Sequence, residues 1–247
     1  MNQLDHNPPE SVIDWISYAQ TSVGHVRKAN EDSFLDAREQ GLWVVADGMG
    51  GHSRGDRASQ TIIEKLLSFQ AQAKPEDNIA DLRARLEDAN QACRSMAAGK
   101  VIGSTVVAMY SHKATCHLLW AGDSRVYRLR QNTLTQLTED HSLVQELCRL
   151  GELTPDEAEN HPSSNVITRA IGVHEKLELD VIEIAVEPGD RFLICSDGLF
   201  KDVKFDEVRE KLCAPSAQQA LRELVKQALD RGGTDNVTAI VVQAGYQ

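Results

Sequence analysis

Four aspartates stand at the ends of apolar, strand-like segments. Three of these segments end at an aspartate, namely Asp47, Asp123 and Asp197, and the fourth begins just after Asp235. Strand ends that are distant in sequence can meet at one edge of a packed sheet, where grouped carboxylates repel one another unless cations compensate them. Carboxylate and carbonyl oxygens without histidine or cysteine favour Mg²⁺ or Mn²⁺ over zinc. The pattern therefore predicts a divalent-cation site with oxygen ligands.

The glycines after Asp47 fit the same interpretation. In LWVVADGMGG we expect the strand to end at Asp47, after which Gly48 lets a main-chain carbonyl turn toward a metal. Gly50 and Gly51 let the backbone pass close to an anionic ligand. A glycine-rich turn is the usual explanation of a single Asp-Gly pair. The recurrence of aspartates at strand ends favours the metal site instead.

A charged loop near the N-terminus adds a second kind of group. The stretch RKANEDS contains Arg27, Glu31 and Asp32. A lone arginine is usually a solvated surface charge, but a guanidinium that shares a short loop with two acids is suited to binding phosphate beside a metal. The metal ligands and the arginine together indicate phosphate-ester chemistry.

Several other phosphate chemistries are excluded by spacing. No cysteine is followed six residues later by arginine, and no two aspartates are separated by a single residue. The chain therefore lacks the cysteine phosphatase loop and the aspartyl-phosphate nucleophile. Gly99-Lys100 lacks the upstream glycine and the following Ser or Thr of a P-loop, and no Gly-x-Ser-x-Gly elbow occurs. A water nucleophile activated by metal remains.

The elements that must position these residues form an α+β pattern. Helices are expected over residues 57–70, 79–98 and 218–230 because apolar residues recur there at helical spacing. Four strand-like segments between residues 103 and 138, separated by one to three turn residues, predict an antiparallel meander. Strands occur at the beginning, middle and end of the chain, which favours one α+β domain over alternating βαβ units.

Composition narrows the functional class. The chain of 247 residues carries 26 basic and 37 acidic residues, a net charge of −11, which argues against binding a nucleic-acid backbone. Its five cysteines are scattered without a Cys-x-x-Cys pair, which indicates a reduced, intracellular setting. No apolar run approaches the roughly 20 residues that span a bilayer. We expect a soluble, cytoplasmic protein with a flexible segment 1–12 and a single domain over 13–247.

Eight motifs taken together resemble a known family. In order they are RKANEDS, VVADGMGGH, GSTVV, AGDSRVYRLR, LTEDHS, ITRAIG, LICSDGL and GGTDNVT. The chain thus resembles the metal-dependent protein phosphatases of the 2C type, in their bacterial serine/threonine phosphatase branch, over about residues 19–242. The resemblance implies a four-layer α/β/β/α sandwich, in which two central antiparallel β-sheets are flanked by pairs of helices. It also implies a mobile flap over about 143–168.

Site roles carry over from the resemblance motif by motif. Asp47 would bridge two Mn²⁺ or Mg²⁺ ions, and the Gly48 carbonyl would bind one of them. Asp197 and Asp235 would complete the binuclear site. The remaining roles fall to three residues, with Asp32 joining through bound water, Asp123 holding a third, weaker metal and Arg27 binding the phosphate.

One position departs from the pattern of eukaryotic members. They often carry a histidine two residues after the bridging aspartate, as a candidate general acid, where this chain has Met49. His52 lies nearby and is a possible proton donor, although it could serve only to shape the loop. His141 and His161 are expected to fix backbone rather than to take part in chemistry.

The sequence thus predicts a phosphatase acting on phosphoserine and phosphothreonine in proteins, by attack of a metal-activated water and without a phosphoenzyme. Its partners would be phosphoproteins, including a serine/threonine kinase or its targets, and it is expected to be a monomer. A catalytically inactive family member that binds phosphoproteins is the main alternative. Degenerate members usually lose metal aspartates, however, and this chain retains them. A nucleic-acid-binding protein conflicts with the negative charge.

Overall fold

The computed structural model describes residues 13–50, 54–97, 102–159 and 161–245. Within them the strands are β1 (Asp14–Ser22), β2 (Asp32–Ala37), β3 (Leu42–Met49), β4 (Gly103–Ser104), β5 (Val106–His112), β6 (Thr115–Ala121), β7 (Arg125–Arg130), β8 (Thr133–Gln136), β9 (Asp180–Ala185), β10 (Arg191–Cys195) and β11 (Val237–Gly245). The helices are α1 (Gly55–Leu66), α2 (Pro75–Met96), α3 (Leu143–Arg149), α4 (Pro155–Glu159), α5 (Asp197–Phe200), α6 (Phe205–Leu212) and α7 (Ala217–Asp230).

The strands form two antiparallel sheets. Sheet I has the order β1-β11-β10-β7-β8, so the first and last described strands are paired along nine residues. Sheet II has the order β2-β3-β5-β6-β9, with the short β4 paired to the end of β3. The chain passes from sheet II to sheet I at the short turn 122–124, between β6 and β7, and again at residues 186–190, between β9 and β10.

The two sheets pack face to face and helices cover their outer faces. Strand alternation places Trp43, Val107 and Phe192 in a shared core between the sheets. The outer face of sheet II packs against α1 and α2, and that of sheet I packs against α6 and α7. The predicted four-layer α/β/β/α sandwich is therefore confirmed. No helix in the described ranges combines the length and apolarity needed to cross a membrane.

Three details differ from the sequence-based predictions. The predicted meander is wrong, because β5 and β6 lie in sheet II whereas β7 and β8 lie in sheet I. The strand that was expected to end at Asp47 continues to Met49 because Gly48 pairs with Ser104 of β4. Helix α6 was not predicted, although Val208 and Leu212 have the i, i+4 spacing of a buried helical face.

Segment 143–168 lies between β8 and β9, and hydrogen bonds join its two ends. It contains α3, α4 and the loop over residues 161–168. The Leu143 N–H donates to the Val166 carbonyl at 2.8 Å, and the Thr168 N–H donates to the His141 carbonyl at 2.8 Å. The two ends are therefore tied together next to β6 and β7. The predicted division into residues 13–247 with a flap stays a prediction, and residues 1–12 lie outside the described residues.

Candidate metal centre

Two of the predicted aspartates face each other across one strand pair. Asp32 begins β2 and is paired in register with Asp47 of β3. Asp47 shares the strand face of Trp43 and Val45, which points at the opposite sheet. Side chains directly opposite in an antiparallel pair lie within about 5.5 Å at Cβ, and like charges there destabilise the sheet. The site therefore begins with two carboxylates held together by backbone pairing.

The other three aspartates lie at one end of sheet I. Asp123 precedes β7, Asp197 follows β10 and Asp235 precedes β11. The three strands are neighbours, and Cys195 at the end of β10 is paired with Arg125 of β7 and Ala239 of β11. Because β10 runs antiparallel to both β7 and β11, the end of β10 lies beside the starts of β7 and β11 at one edge of the sheet. Sheet topology thus gathers residues that are 112 positions apart, between Asp123 and Asp235, as the sequence predicted.

The charges of these carboxylates act on one another. Burial raises the pKa of Asp47 well above its usual range, and the charges of the other four aspartates raise it further. Burial also raises the pKa of Asp32 to about 6, against the opposing hydrogen bonds from Thr238 and Ser196. For Asp123, burial and the charge of Asp197 raise the pKa to about 7. Among the described residues, no cation close to these three carboxylates fully offsets their repulsion.

Asp235 differs because two cations contact it. Arg27 places Nε 2.8 Å from Oδ1 and Nη2 2.9 Å from Oδ2. The Lys201 ammonium lies 3.2 Å from Oδ2 of Asp235 and 2.5 Å from Oδ2 of Asp197. Burial would raise the pKa of Asp235, but the hydrogen bond from Arg27 and the charge of Lys201 lower it below its usual value. Lys201 was not singled out from the sequence, although its position four residues after Asp197 in DGLFK was a visible signal.

The donor set fits a hard divalent cation. Across the described part of the chain, no hydrogen-bond donor reaches the buried Oδ1 atoms of Asp32 and Asp197. A buried carboxylate oxygen without a partner is costly, and a cation would satisfy it. Among the described residues, no group of three His, Cys, Asp or Glu side chains is already arranged so that it could hold a metal ion. The carboxylates are therefore neighbours that a cation would have to draw together.

Hydroxyl side chains fix the main chain at Asp47. The Asp47 N–H donates to Thr105 Oγ1 at 3.1 Å, while the Thr105 N–H and Ser104 Oγ both donate to the Asp47 carbonyl at 2.9 Å. Thr105 Oγ1 also lies 2.7 Å from Ser124 Oγ, next to Asp123. The GSTVV motif thus links the strand that carries Asp47 to the turn that carries Asp123.

Gly48 is required because the chain packs tightly around it. A Cβ at this position would lie 2.1 Å from the Gly55 carbonyl oxygen and 2.5 Å from the Glu31 carbonyl oxygen. The Gly48 carbonyl itself lies against Gly55, at the start of α1. This close approach explains the glycine independently of a metal, so the predicted role of its carbonyl as a ligand stays a prediction.

Asn236 anchors the loop that carries Arg27 and was missed by sequence reasoning. Its buried side-chain amide donates to the carbonyls of Val23 and Ala29 at 2.9 and 3.0 Å. Its Oδ1 accepts from the Glu31 N–H at 2.8 Å. One asparagine next to Asp235 thus holds both ends of the loop 23–31 against the site. Its only sequence signal was its place between Asp235 and a buried strand.

The three histidines of the sequence-based predictions differ in what the structure shows of them. His161 contacts the backbone, as expected, because its Nδ1 accepts from the Ser163 N–H at 3.1 Å. His52 and Gly51 lie outside the described residues, so the proton-donor prediction is untested. The ring Nδ1 of His141 accepts from the Gly122 N–H at 3.2 Å, and the backbone N–H of His141 donates to the Gly122 carbonyl at 3.0 Å. It therefore fixes the backbone before Asp123, and its Nε2 lies 3.2 Å from Asp180 Oδ2.

Comparison with known proteins identifies the family. The family described as Protein phosphatase 2C matches residues 19–232. The chain belongs to this family. Serine/threonine phosphatase stp of Listeria welshimeri is 37% identical over 237 residues, which cover 91% of this chain and 94% of that relative. This similarity covers almost the whole of both chains. The protein is therefore a serine/threonine protein phosphatase, an enzyme that hydrolyses phosphate esters on phosphorylated proteins.

Solved structures of 2C-type phosphatases share the fold. PppA, described as a key regulatory component of T6SS in Pseudomonas aeruginosa, has a TM-score of 0.88 and 44% identity, covering 94% of this chain and 99% of that one. The catalytic domain of PstP, solved in complex with two manganese ions, has a TM-score of 0.86 and 33% identity, covering 96% of this chain and all of that one. Metal dependence is thus a property of the family to which this phosphatase belongs.

Proposed function

We propose that this phosphatase hydrolyses phosphoserine and phosphothreonine by direct attack of water, at a centre that binds two divalent cations. Mn²⁺ or Mg²⁺ would be held by Asp47, Asp197 and Asp235, with the Gly48 carbonyl as a further ligand. Asp32 would act through bound water, and Asp123 would hold a third, weaker ion.

The observation that carries this proposal is the pair of buried, unpartnered oxygens, Oδ1 of Asp32 and Oδ1 of Asp197. Asp32 is paired with Asp47 across β2 and β3. Burial raises the pKa of Asp47, and the charges of four other aspartates, Asp32 and Asp197 among them, raise it further. A site with this much uncompensated negative charge is stabilised by cations, and its oxygen ligands select hard ones. The two manganese ions in the related PstP domain support the same number of ions here.

The chain's own residues bind and orient the phosphate. Bound cations would supply Lewis-acid stabilisation of the phosphoryl charge and a water of lowered pKa. Arg27, whose side chain is 53% exposed at the mouth of the site, presents a planar guanidinium suited to two phosphate oxygens. The hydroxyls of Ser104 and Thr105 keep the main chain at Asp47 in place. Water breaks the P–O ester bond, and the products are inorganic phosphate and the free Ser or Thr hydroxyl.

Hydrolysis of p-nitrophenyl phosphate and of a phosphothreonine peptide by chelated protein tests the proposal. Neither substrate should be hydrolysed without metal, and Mn²⁺ or Mg²⁺ should restore turnover of both. The protein should carry no covalent phosphate when the reaction is quenched. Full activity after exhaustive chelation, or a trapped phosphoenzyme, would rule out the mechanism. Metal-dependent peptide binding without turnover would support the alternative of an inactive phosphoprotein-binding member.

The physiological setting stays a set of predictions. A serine/threonine kinase or its targets are the expected substrates, in the cytoplasm, with the phosphatase acting as a monomer. His52 remains the predicted proton donor for the leaving hydroxyl. Replacement of His52 by Gln should lower kcat for a phosphopeptide, whose leaving group is basic, more than for p-nitrophenyl phosphate, whose leaving group needs no proton. Equal effects on both would leave His52 a loop-shaping residue.

A further inference from the structure

Lys201 places a side-chain ammonium between two of the proposed metal ligands. Its Nζ lies 2.5 Å from Asp197 Oδ2 and 3.2 Å from Asp235 Oδ2. Helix α5 creates this contact, because Lys201 follows the first residue of α5, Asp197, by four positions and so lies on the same side of the turn. A monovalent cation thus joins the two carboxylates that the proposed function assigns to a divalent one.

The carboxylate of Asp235 has its hydrogen-bonding capacity filled. Its Oδ1 is contacted by Arg27 Nε at 2.8 Å and by the Asn236 N–H at 2.9 Å. Its Oδ2 is contacted by Arg27 Nη2 at 2.9 Å and by Lys201 Nζ at 3.2 Å. Two carboxylate oxygens offer about four lone-pair positions in total. A metal ion that binds Asp235 must therefore displace one of these partners.

Lys201 is the partner whose position a metal would take. Arg27 and the Asn236 N–H contact Asp235 alone among the proposed ligands, whereas Lys201 contacts Asp197 as well. The other oxygen of Asp197, Oδ1, is buried and has no partner among the described residues. A cation that joins Asp197 to Asp235 would use that oxygen and would be repelled by the ammonium.

We propose that Lys201 is an internal counter-ion that takes the place of a divalent cation between Asp197 and Asp235 and competes with it. This inference rests on the proposed two-metal function. In the metal-free protein Lys201 keeps the two carboxylates oriented and partly neutralised. It thereby raises the metal concentration at which the centre fills, so that occupancy responds to the supply of divalent cations.

The lysine side chain is able to leave the site. Its surface is 34% exposed, and its long aliphatic stem allows the ammonium to turn toward solvent. Asp202, the next residue, is within electrostatic reach of Lys201 and offers another counter-ion. An arginine that is held by a planar two-point contact, as Arg27 is on Asp235, has less freedom to move.

Three variants test the competition. Lys201→Met removes the charge while keeping an unbranched, flexible side chain, and Lys201→Arg keeps the charge. Lys226→Met is the matched control, because Lys226 also forms an i, i+4 ion pair, with Asp230 on α7. Mn²⁺ affinity and stoichiometry are measured by titration calorimetry, and the Tm of the chelated protein is measured for each.

Lys201→Met should bind Mn²⁺ roughly three- to thirtyfold more tightly, since no ammonium must be displaced, and its chelated form should melt at a lower temperature. Lys201→Arg should remain near wild type in both, and Lys226→Met should leave the Mn²⁺ affinity unchanged. If Lys201→Met does not fold, Lys201→Gln serves for the same comparison. Unchanged or weaker Mn²⁺ binding in the neutral variant would overturn the proposal. A raised KM for a phosphopeptide with unchanged Mn²⁺ affinity would overturn it too, in favour of phosphate binding.

The same titration separates this inference from the proposed function. Asp197→Asn should abolish or strongly weaken Mn²⁺ binding if the carboxylates are the ligands. If Mn²⁺ binds the wild type and the loss of Asp197 has no effect, the metal site itself is wrong. If Asp197→Asn weakens binding but Lys201→Met does not strengthen it, only the competition is wrong.

Discussion

Ser196 Oγ donates a hydrogen bond to Asp32 Oδ2 at 2.8 Å. Ser196 follows β10 of sheet I, and Asp32 begins β2 of sheet II, so this buried contact joins the two sheets. It occupies one oxygen of Asp32 and leaves the other, Oδ1, without a partner in the described structure. The orientation of the free oxygen is therefore set by the packing of one sheet on the other.

Removal of the Arg27 guanidinium should weaken catalysis without emptying the metal centre. A charged hydrogen bond contributes about 1.5–3 kcal/mol, so Arg27→Ala should lower kcat/KM for a phosphopeptide roughly ten- to a hundredfold. Inorganic phosphate should also become a poorer inhibitor. Arg38→Ala is the control, because the exposed Arg38 side chain contacts only its neighbour Glu39 among the interactions described. Unaltered kinetics in Arg27→Ala would make Arg27 an ordinary surface charge.

Truncation of Asn236 should act through Arg27. Asn236→Ala leaves the Glu31 N–H and the carbonyls of Val23 and Ala29 without their partner, at a cost of about 1–3 kcal/mol in stability for each group that stays buried. Because the loop then holds Arg27 less firmly, inhibition by phosphate should weaken. In a double-mutant cycle, Arg27→Ala should lower kcat/KM less in the Asn236→Ala background than in wild type. Strict additivity would show that Asn236 supports the fold alone.

Asp123 should tune turnover rather than hold the two main ions. It lies in the turn between β6 and β7, where the N–H and the carbonyl of the preceding Gly122 are both hydrogen-bonded to His141. Asp123→Ala should lower kcat while two Mn²⁺ ions remain bound, as counted by elemental analysis after gel filtration. Loss of either main ion in this variant would refute the division of roles between Asp123 and Asp47.

The segment 143–168 should affect protein substrates selectively. Hydrogen bonds join its ends, Leu150 and Val166 are exposed, and Val144 is the only buried apolar residue in the described part of the segment, so little apolar surface holds it in place. A phosphopeptide must lie across the border of the site, whereas a small aryl phosphate need not. Substitutions at 163–165 should change kcat/KM for a phosphopeptide several-fold more than for p-nitrophenyl phosphate. Equal changes on both substrates would make the segment a passive connector.

The sequence predicted which aspartates the fold brings to one region better than it predicted the sheet topology, and their roles as metal ligands stay predictions. Asp47, Asp197 and Asp235 could be found because apolar runs beside aspartates are local patterns, and so could the helices with regular apolar spacing. The split of the predicted meander between two sheets depends on the turn at Gly122, whose backbone is set by contacts with His141 and Thr105 from elsewhere in the chain. Lys201 and Asn236 escaped notice because their roles depend on which distant oxygens they reach.

The central claim is that Asp47 lies in a carboxylate cluster that only divalent cations complete. Thermal unfolding of chelated and Mn²⁺-loaded protein tests it directly, for wild type and for Asp47→Asn. Asn in place of Asp47 removes a charge opposite Asp32, so the chelated variant should melt no lower than chelated wild type. Mn²⁺ should raise the Tm of wild type and leave that of Asp47→Asn almost unchanged, because ligand binding to the folded state alone stabilises it. An equal rise in Tm with Mn²⁺ in both proteins would contradict the account.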